Sequence, residues 1–154
     1  MSTEVFEQFW QYSQWANAAV LARLEQLGQD LPASTLRLMS HIVNAQSVWL
    51  NRLTGQPLTV LVWDEHDLPT CKRLNAETME GIKGVILRQK EDMNVVISYT
   101  NTAGTAFETA MPDILLQIFN HGTYHRAQIA MDLRQKGLEP VLTDYIVFVR
   151  LKGQ

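Results

Sequence analysis

The chain has 154 residues, of which 46% are hydrophobic and 19% are charged, and its formal net charge is −3. These values are ordinary for a globular protein, so we expect residues 1–154 to form a single domain. The acidic balance and the scattered Lys and Arg residues argue against a nucleic-acid partner, which usually requires a basic face. Cys71 is the only cysteine, which excludes an intramolecular disulfide and fits a reducing compartment.

The N-terminal segment has neither the basic region nor the apolar core of a secretory signal. No apolar run approaches the roughly 20 residues that a helix needs to span a bilayer. We therefore expect a cytoplasmic protein with no membrane partner.

Two amphipathic helices are predicted in the first third of the chain. Apolar residues recur every three or four positions over residues 5–27 and again over residues 35–53, which is the spacing of one buried helix face. Ser2 or Thr3 is available as the N-cap of the first helix. Prolines and glycines then indicate the ends of both helices.

The middle of the chain is less regular. Residues 56–75 contain two prolines and an acidic cluster, so they predict a long loop that covers part of the bundle. A third helix follows over residues 76–93, although Gly81 and Gly84 weaken its pattern. Pro69 lies inside the stretch that we interpret as loop.

The last third predicts a hairpin and two helices. Residues 94–100 and 105–109 are rich in β-branched side chains and enclose a turn, which is typical of a β-hairpin. A long helix follows over residues 112–136, and a short helix over residues 143–152. The fold class is therefore all-α: a four-helix bundle with a short β-hairpin between helices 3 and 4 and a short C-terminal helix.

Two histidines lie four residues apart in the fourth helix. At 100° per residue, His121 and His125 share one face, and both should point into the bundle. A single inward histidine is more often a hydrogen-bonded core residue than a ligand, but such a pair can bind one metal ion. His41 faces inward from the second helix. If helices 2 and 4 are neighbours, three neutral imidazoles converge and leave coordination positions open, as in catalytic sites.

Other residues around the pair refine this hypothesis. Gln128 and Asp132 continue the edge of the helix that carries the histidines, so either could be a hydrogen-bond partner of a ligand. Gly122 leaves room for another helix to approach closely. It also stands where a His-Glu-x-x-His motif would have its general-base glutamate, so the chemistry of that motif is excluded.

Two further residues could carry chemistry. We interpret His66 as an exposed loop residue in preference to a fourth ligand, and Cys71 as a bystander in preference to a reactive thiol.

Several segments carry a resemblance to a known family. They are the Tyr-Ser-Gln-Trp-Ala-Asn segment at 12–17, His41 with the Trp-Leu-Asn-Arg-Leu-Thr-Gly segment at 49–55, the His-Gly-Thr-Tyr-His-Arg-Ala-Gln-Ile segment at 121–129 and the tail at 134–140. With these segments the chain resembles the DinB-like (DinB/YfiT) family over essentially its whole length. Ala127 stands where a glycine is common in that family, on the side away from the histidines.

The resemblance implies a four-helix bundle, often a homodimer, that binds a divalent metal. One histidine of helix 2 and the His-x-x-x-His pair are the ligands in that family, and they correspond here to His41, His121 and His125. Zinc and nickel are the metals associated with such sites. Relatives in the wider superfamily are thiol-dependent transferases and isomerases or metal-dependent amide hydrolases.

The leading hypothesis is therefore a metal-dependent enzyme, a transferase or a hydrolase, that activates a small-molecule thiol or water toward an electrophilic substrate. In this picture Ser13, Asn17 and the loop near Trp63 would line the substrate cavity, while Tyr124 and Arg126 have packing or interface roles. A second hypothesis is a non-catalytic metal-binding or stress-response dimeric bundle, in which the ion is structural. A third is a dimeric bundle without metal.

Overall fold

Four long helices and a short hairpin build the protein, in a computed structural model that describes residues 3–90 and 92–153. The elements in order are α1 (Thr3–Leu27), a 3-10 turn (Gly28–Asp30), α2 (Ala33–Thr54), α3 (Leu68–Arg88), β1 (Val96–Thr100), β2 (Ala106–Ala110), α4 (Met111–Gln135) and α5 (Tyr145–Lys152). The predicted all-α fold with its hairpin and short last helix is confirmed. Ser2, one of the two predicted N-caps, lies outside the described residues, and Thr3 is already helical.

The four long helices pack as the amphipathic patterns require. α2 packs against α3 and α4, while α1 packs against α3, α4 and α5. One apolar cluster joins the start of α1 to the end of α3 and contains Phe6, Met79 and Ile114. A second joins the end of α1 to the start of α3 and contains Leu24 and Met39. Full burial of one such side chain contributes about 1.5–3 kcal/mol, so these two clusters contribute strongly to the stability of the bundle.

A layer of polar side chains lies between the two apolar clusters and links all four helices. Asn17 of α1 donates to Oδ1 of Asn75 in α3 at 2.9 Å and accepts from Nη1 of Arg126 in α4 at 2.9 Å. Thr78 of α3 donates to Oε1 of Gln46 in α2 at 3.1 Å. All five residues are buried. Buried polar groups need such partners, and here the partners come from different helices.

α3 differs from its predicted bounds at both ends. It begins at Leu68, inside the stretch that we expected to be loop, and it ends at Arg88 instead of residue 93. The side chain of Asp67 caps its N-terminus by accepting from the backbone N–H of Thr70 at 2.9 Å. Pro69 lies in the first turn, where a helix tolerates proline because the N–H there has no intrahelical partner. The loop between α2 and α3 is therefore residues 55–67, which we call the covering loop.

The close helix approach that we predicted at Gly122 occurs at a different glycine. A Cβ on Gly81 in α3 would lie 2.4 Å from Cδ2 of Leu50 in α2, so the missing side chain lets these helices meet. A Cβ on Gly122 would instead lie 2.9 Å from Nη1 of Arg126, one turn further along the same helix. Gly122 thus makes room for an arginine of α4, and the prediction of a neighbouring helix at this position was wrong.

The hairpin closes one end of the bundle. β1 and β2 pair antiparallel in the register Val96 to Ala110 and Thr100 to Ala106, and β1 packs on α2 while β2 leads directly into α4. Among residues 3–90 and 92–153, no helix combines the length and apolar character that a membrane span requires.

Candidate metal centre

Three imidazoles meet between α2 and α4. His41 comes from the middle of α2, and His121 and His125 lie one turn apart on α4. One ring nitrogen from each lies within 4.8 Å of the others, and the ring centroids are 4.3–4.9 Å apart. His41 and His125 are buried, whereas His121 is half-buried. The convergence that the helical spacing predicted is confirmed because α2 and α4 are neighbours. Metal binding by these three residues stays a prediction.

The ring of His125 is held by a residue of its own helix. Nδ1 of His125 lies 2.7 Å from Oε1 of Gln128. Because a carboxamide oxygen only accepts, Nδ1 carries the proton and the lone pair is on Nε2. Gln128 is therefore the partner that we predicted for a ligand. Asp132, the other candidate, instead accepts from the hydroxyls of Ser34 and Thr35 at 2.8 and 2.5 Å and takes no part in the cluster.

The ring of His41 is held by the covering loop. Its Nδ1 donates to the backbone carbonyl oxygen of Val62 at 2.8 Å, which again leaves the lone pair on Nε2. The indole of Trp63 stacks on the same imidazole, with ring centroids 3.7 Å apart and planes 10° from parallel. The loop near Trp63 therefore lies against the histidine cluster, and its role in lining a substrate cavity stays a prediction. Metal-ligating histidines commonly have such a carbonyl or side-chain partner on the second nitrogen.

Two buried polar residues of α2 fix the covering loop in place. Asn44 donates to the carbonyl oxygen of Asp64 at 2.7 Å, and its Oδ1 lies 2.7 Å from Nε2 of His66. The hydroxyl of Ser40 accepts from the backbone N–H of His66 at 3.1 Å. His66 is thus a loop residue outside the histidine cluster, as expected. The expectation that it is exposed was wrong, because it is half-buried and its bonds to Ser40 and Asn44 anchor the loop. Ser40 and Asn44 were not identified from the sequence as anchors of the covering loop. Their spacing of four residues, which places them on one side of α2 next to His41, could have indicated this role.

Burial favours the neutral, metal-binding form of two of the three imidazoles, those of His121 and His41. The pKa of His121 is lowered to about 4, first by burial and then by the positive charges that His125 and His41 would carry. Burial also lowers the pKa of His41; the hydrogen bond to Val62 acts in the opposite direction, and the charge of His125 adds to the lowering. Both rings are therefore neutral at pH 7, as a ligand must be.

Two other predicted residues lie away from the three histidines. Asn17 is fully buried between Asn75 and Arg126, so it bonds within the bundle and does not line a cavity at the histidines. Ser13 is buried too, and its Oγ has no hydrogen-bond partner among the described residues. The side chain of Arg126 is buried within the bundle, which agrees with the packing role that we expected for it.

Cys71 lies inside α3 and is fully buried. Its Sγ is 3.5 Å from Oγ of Ser40, and burial raises the pKa of its thiol. A protonated, inaccessible thiol is a poor nucleophile. This environment agrees with the bystander role that we expected for Cys71. The three imidazoles are therefore the reactive groups that we consider between α2 and α4.

A four-helix bundle with three converging histidines defines the protein as a candidate metal-binding helical bundle. A sequence profile described as DinB family matches residues 1–154, and the chain therefore belongs to the DinB family. It is also similar to a protein of Bacillus subtilis (strain 168) that is named Protein DinB, with 26% identity over 156 residues and 91% of each chain covered. The resemblance seen in the sequence segments is thus confirmed.

Proposed function

We propose that this protein is a metal-dependent enzyme in which His41, His121 and His125 bind one divalent transition ion. The observation that carries the proposal is the convergence of three ring nitrogens within 4.8 Å from two facing helices. The hydrogen bonds of His41 to Val62 and of His125 to Gln128 support it, because they present Nε2 of both rings to a shared ion. Imidazole ligands suit zinc and nickel, which are our first choices.

The three imidazoles also suit an open site, since structural zinc sites usually have four protein ligands. A bound divalent ion lowers the pKa of a coordinated water to about 7 and ionises a coordinated thiol. In the described part of the chain the candidate cluster contains no carboxylate. We therefore infer that the nucleophile is the bound water or small-molecule thiol itself and that the electrophile is a second small molecule. Trp63 covers one face of His41 and would exclude solvent there.

Metal analysis of untagged protein tests the proposal directly. We expect about one equivalent of zinc or nickel in the wild type and a large loss in His41→Ala. His66→Ala is the matched control, because this histidine lies in the covering loop but outside the cluster. Less than roughly a tenth of an equivalent in the wild type, unchanged in His41→Ala, would overturn the proposal.

Thiol activation has its own test. Nickel-loaded protein titrated with 2-mercaptoethanol should develop a thiolate-to-metal charge-transfer band, since a coordinated thiol is deprotonated. The band should be missing in His121→Ala. A spectrum that the thiol leaves unchanged, with metal still bound, would contradict thiol activation and leave water as the nucleophile.

The homodimer and the cytoplasmic location that we expected from the sequence remain predictions.

A structural ion is the second candidate function. Its supporting observation is that the three histidines come from α2 and α4, so one ion would cross-link two packed helices. Thermal unfolding with and without a chelator separates the two functions. A large fall in the midpoint temperature on chelation favours the structural ion, while a nearly unchanged transition favours an open functional site.

A further inference from the structure

A second concave site lies on the other side of α4, between this helix, α1 and the segment that leads into α5. Its volume is about 690 Å³, within the range of small-molecule sites. Four aromatic residues belong to its lining: Phe9, Tyr12, Phe119 and Tyr145. None of the three clustered histidines lines it, so it is distinct from the candidate metal centre.

A buried arginine without a counter-ion lies in the wall of this cavity. Arg126 is only 2% exposed. Its guanidinium donates to neutral acceptors, Oδ1 of Asn17 at 2.9 Å and Oγ1 of Thr123 at 3.0 Å. Across residues 3–90 and 92–153, Nε of Arg126 has no hydrogen-bond partner, and no carboxylate lies within ion-pair distance of the guanidinium. Arginine keeps its charge in proteins, and a buried charge is unfavourable unless it is paired.

The position of this guanidinium is fixed by its surroundings. Gly122 has no side chain, and a Cβ at this position would lie 2.9 Å from Nη1 of Arg126. The ring of Tyr12 lies under the guanidinium, with 5.3 Å from Cζ to the ring centroid, and the hydroxyl of Tyr12 donates to the carbonyl oxygen of Thr143 at 2.7 Å. The cation is therefore held at the cavity wall before any ligand arrives, which favours binding because little is left to be ordered.

The charges around the cavity also favour an anion. Two arginines, Arg126 and Arg134, and one aspartate, Asp144, belong to its lining, which leaves one excess positive charge. Most of the remaining lining is aromatic or aliphatic. A ligand that matches this surface carries one negative group and an apolar body. A carboxylate fits a guanidinium because its two oxygens match the planar fork of N–H donors.

We propose that this cavity binds a small organic carboxylate, with its anionic group on Arg126 and its apolar body against the rings of Phe9, Phe119 and Tyr145. The site is independent of metal binding by the three histidines. It is a ligand site on α4 in addition to the candidate metal centre.

Calorimetric titration of the full-length protein tests this site. The probes are 3-phenylpropionate, indole-3-acetate and octanoate, each compared with its neutral amide of nearly the same shape. At least one carboxylate should bind roughly tenfold or more tightly than its amide, since the amide cannot pair with the guanidinium. Arg126→Gln should abolish this difference, and circular dichroism will show whether the variant is folded.

Two further variants keep the test decisive if Arg126→Gln does not fold. Ala130→Trp places a bulky ring in the cavity from its wall while Arg126 itself is retained, and it should abolish carboxylate binding. His121→Ala removes a candidate metal ligand and should bind the carboxylate like the wild type. Loss of binding in His121→Ala would mean that the carboxylate coordinates the ion, and this result would overturn the proposal.

Three other results would also overturn it. The first is equal affinity for every carboxylate and its amide, and the second is no binding of any probe at millimolar concentration. The third concerns a second copy of the chain as the occupant. If the wild type is a dimer in sedimentation, Ala130→Trp is a monomer, and neither binds the carboxylates, then a partner subunit fills the cavity.

Discussion

The indole of Trp63 lies flat on the imidazole of His41, with the ring centroids 3.7 Å apart. The residue beside it, Val62, accepts the Nδ1 hydrogen bond of the same imidazole at 2.8 Å. The covering loop therefore fixes both the plane and the rotation of a candidate metal ligand. Because Ser40 and Asn44 hold this loop on α2, the orientation of His41 depends on residues that would never contact the ion.

Replacing Trp63 should speed the exchange of the metal. We expect Trp63→Ala to release the ion to a chromogenic chelator roughly tenfold faster than the wild type, because it opens one face of His41 and loosens the partner of Nδ1. Trp63→Phe keeps a stacked ring and should stay near the wild-type rate. The measurement is stopped-flow absorbance with excess chelator. Equal rates in all three proteins would show that the indole does not shield the site.

Replacing Gln128 should weaken metal binding without removing a ligand. In Gln128→Leu the Nδ1 of His125 loses the acceptor that lies 2.7 Å away, and partners of this kind typically account for 10–100-fold in metal affinity. Gln128→Glu retains an acceptor and should bind at least as tightly as the wild type. Competition with a chelator of known affinity gives the dissociation constants. Identical constants for the leucine variant and the wild type would contradict the role of Gln128.

Gly122 and Gly84 should respond in opposite ways to alanine. Alanine is favoured over glycine inside a helix by about 0.8–1 kcal/mol. In Gly84→Ala the new Cβ meets the guanidinium of exposed Arg88 at 3.0 Å, which can move away, so this variant should be stabilised. In Gly122→Ala the Cβ meets Nη1 of Arg126 at 2.9 Å, where Asn17 and Thr123 hold the group.

Overpacking a buried site usually costs about 1–3 kcal/mol, so after the helix-propensity gain of about 0.8–1 kcal/mol we expect Gly122→Ala to be destabilised by up to about 2 kcal/mol. Urea unfolding at a common temperature gives both free energies. If both alanine variants gain stability equally, the buried guanidinium has room to move, and Gly122 has no special relation to it.

Acid should destabilise the metal-free protein through His121. The pKa of His121 in the folded protein is lowered from 6.5 to about 4, so the unfolded chain binds the proton more tightly. The stabilising contribution of the neutral ring is fully present above pH 6.5 and is lost as the pH falls through about 4.

To isolate this effect, the stability of the metal-free wild type is compared with that of metal-free His121→Gln. The variant has no titratable group at this position. Urea unfolding between pH 7 and pH 4 should give a shallower loss of stability for the variant. Parallel losses in the two proteins would mean that burial does not disfavour the charged ring of His121.

Much of this architecture is predictable from the sequence because a buried helix face repeats every 3.6 residues. That periodicity located α1, α2 and α4 closely, and it also placed His41, His121 and His125 on inward faces. The start of α3 was missed because Pro69 was interpreted as a loop residue. A local signal was available, since an Asp with a Pro two residues later is typical of a helix N-terminus.

Other features require the tertiary structure. No periodicity shows that Asn17 contacts Asn75 and Arg126, because these residues are far apart in the chain. The same is true of the bond between Val62 and His41, which depends on how the covering loop folds back on α2. Gly122 also escaped prediction, since a glycine in a helix pattern does not reveal which side chain occupies the space beside it.

The polar layer across the middle of the bundle has a consequence for the axial register of the helices. Its three bonds, from Asn17 to Asn75, from Arg126 to Asn17 and from Thr78 to Gln46, tie each long helix to at least one other. A helix that slid by one turn could still bury apolar residues, but it would leave these polar groups without partners. The layer thus selects one alignment of α2 with α4, and in that alignment His41 lies opposite His121 and His125.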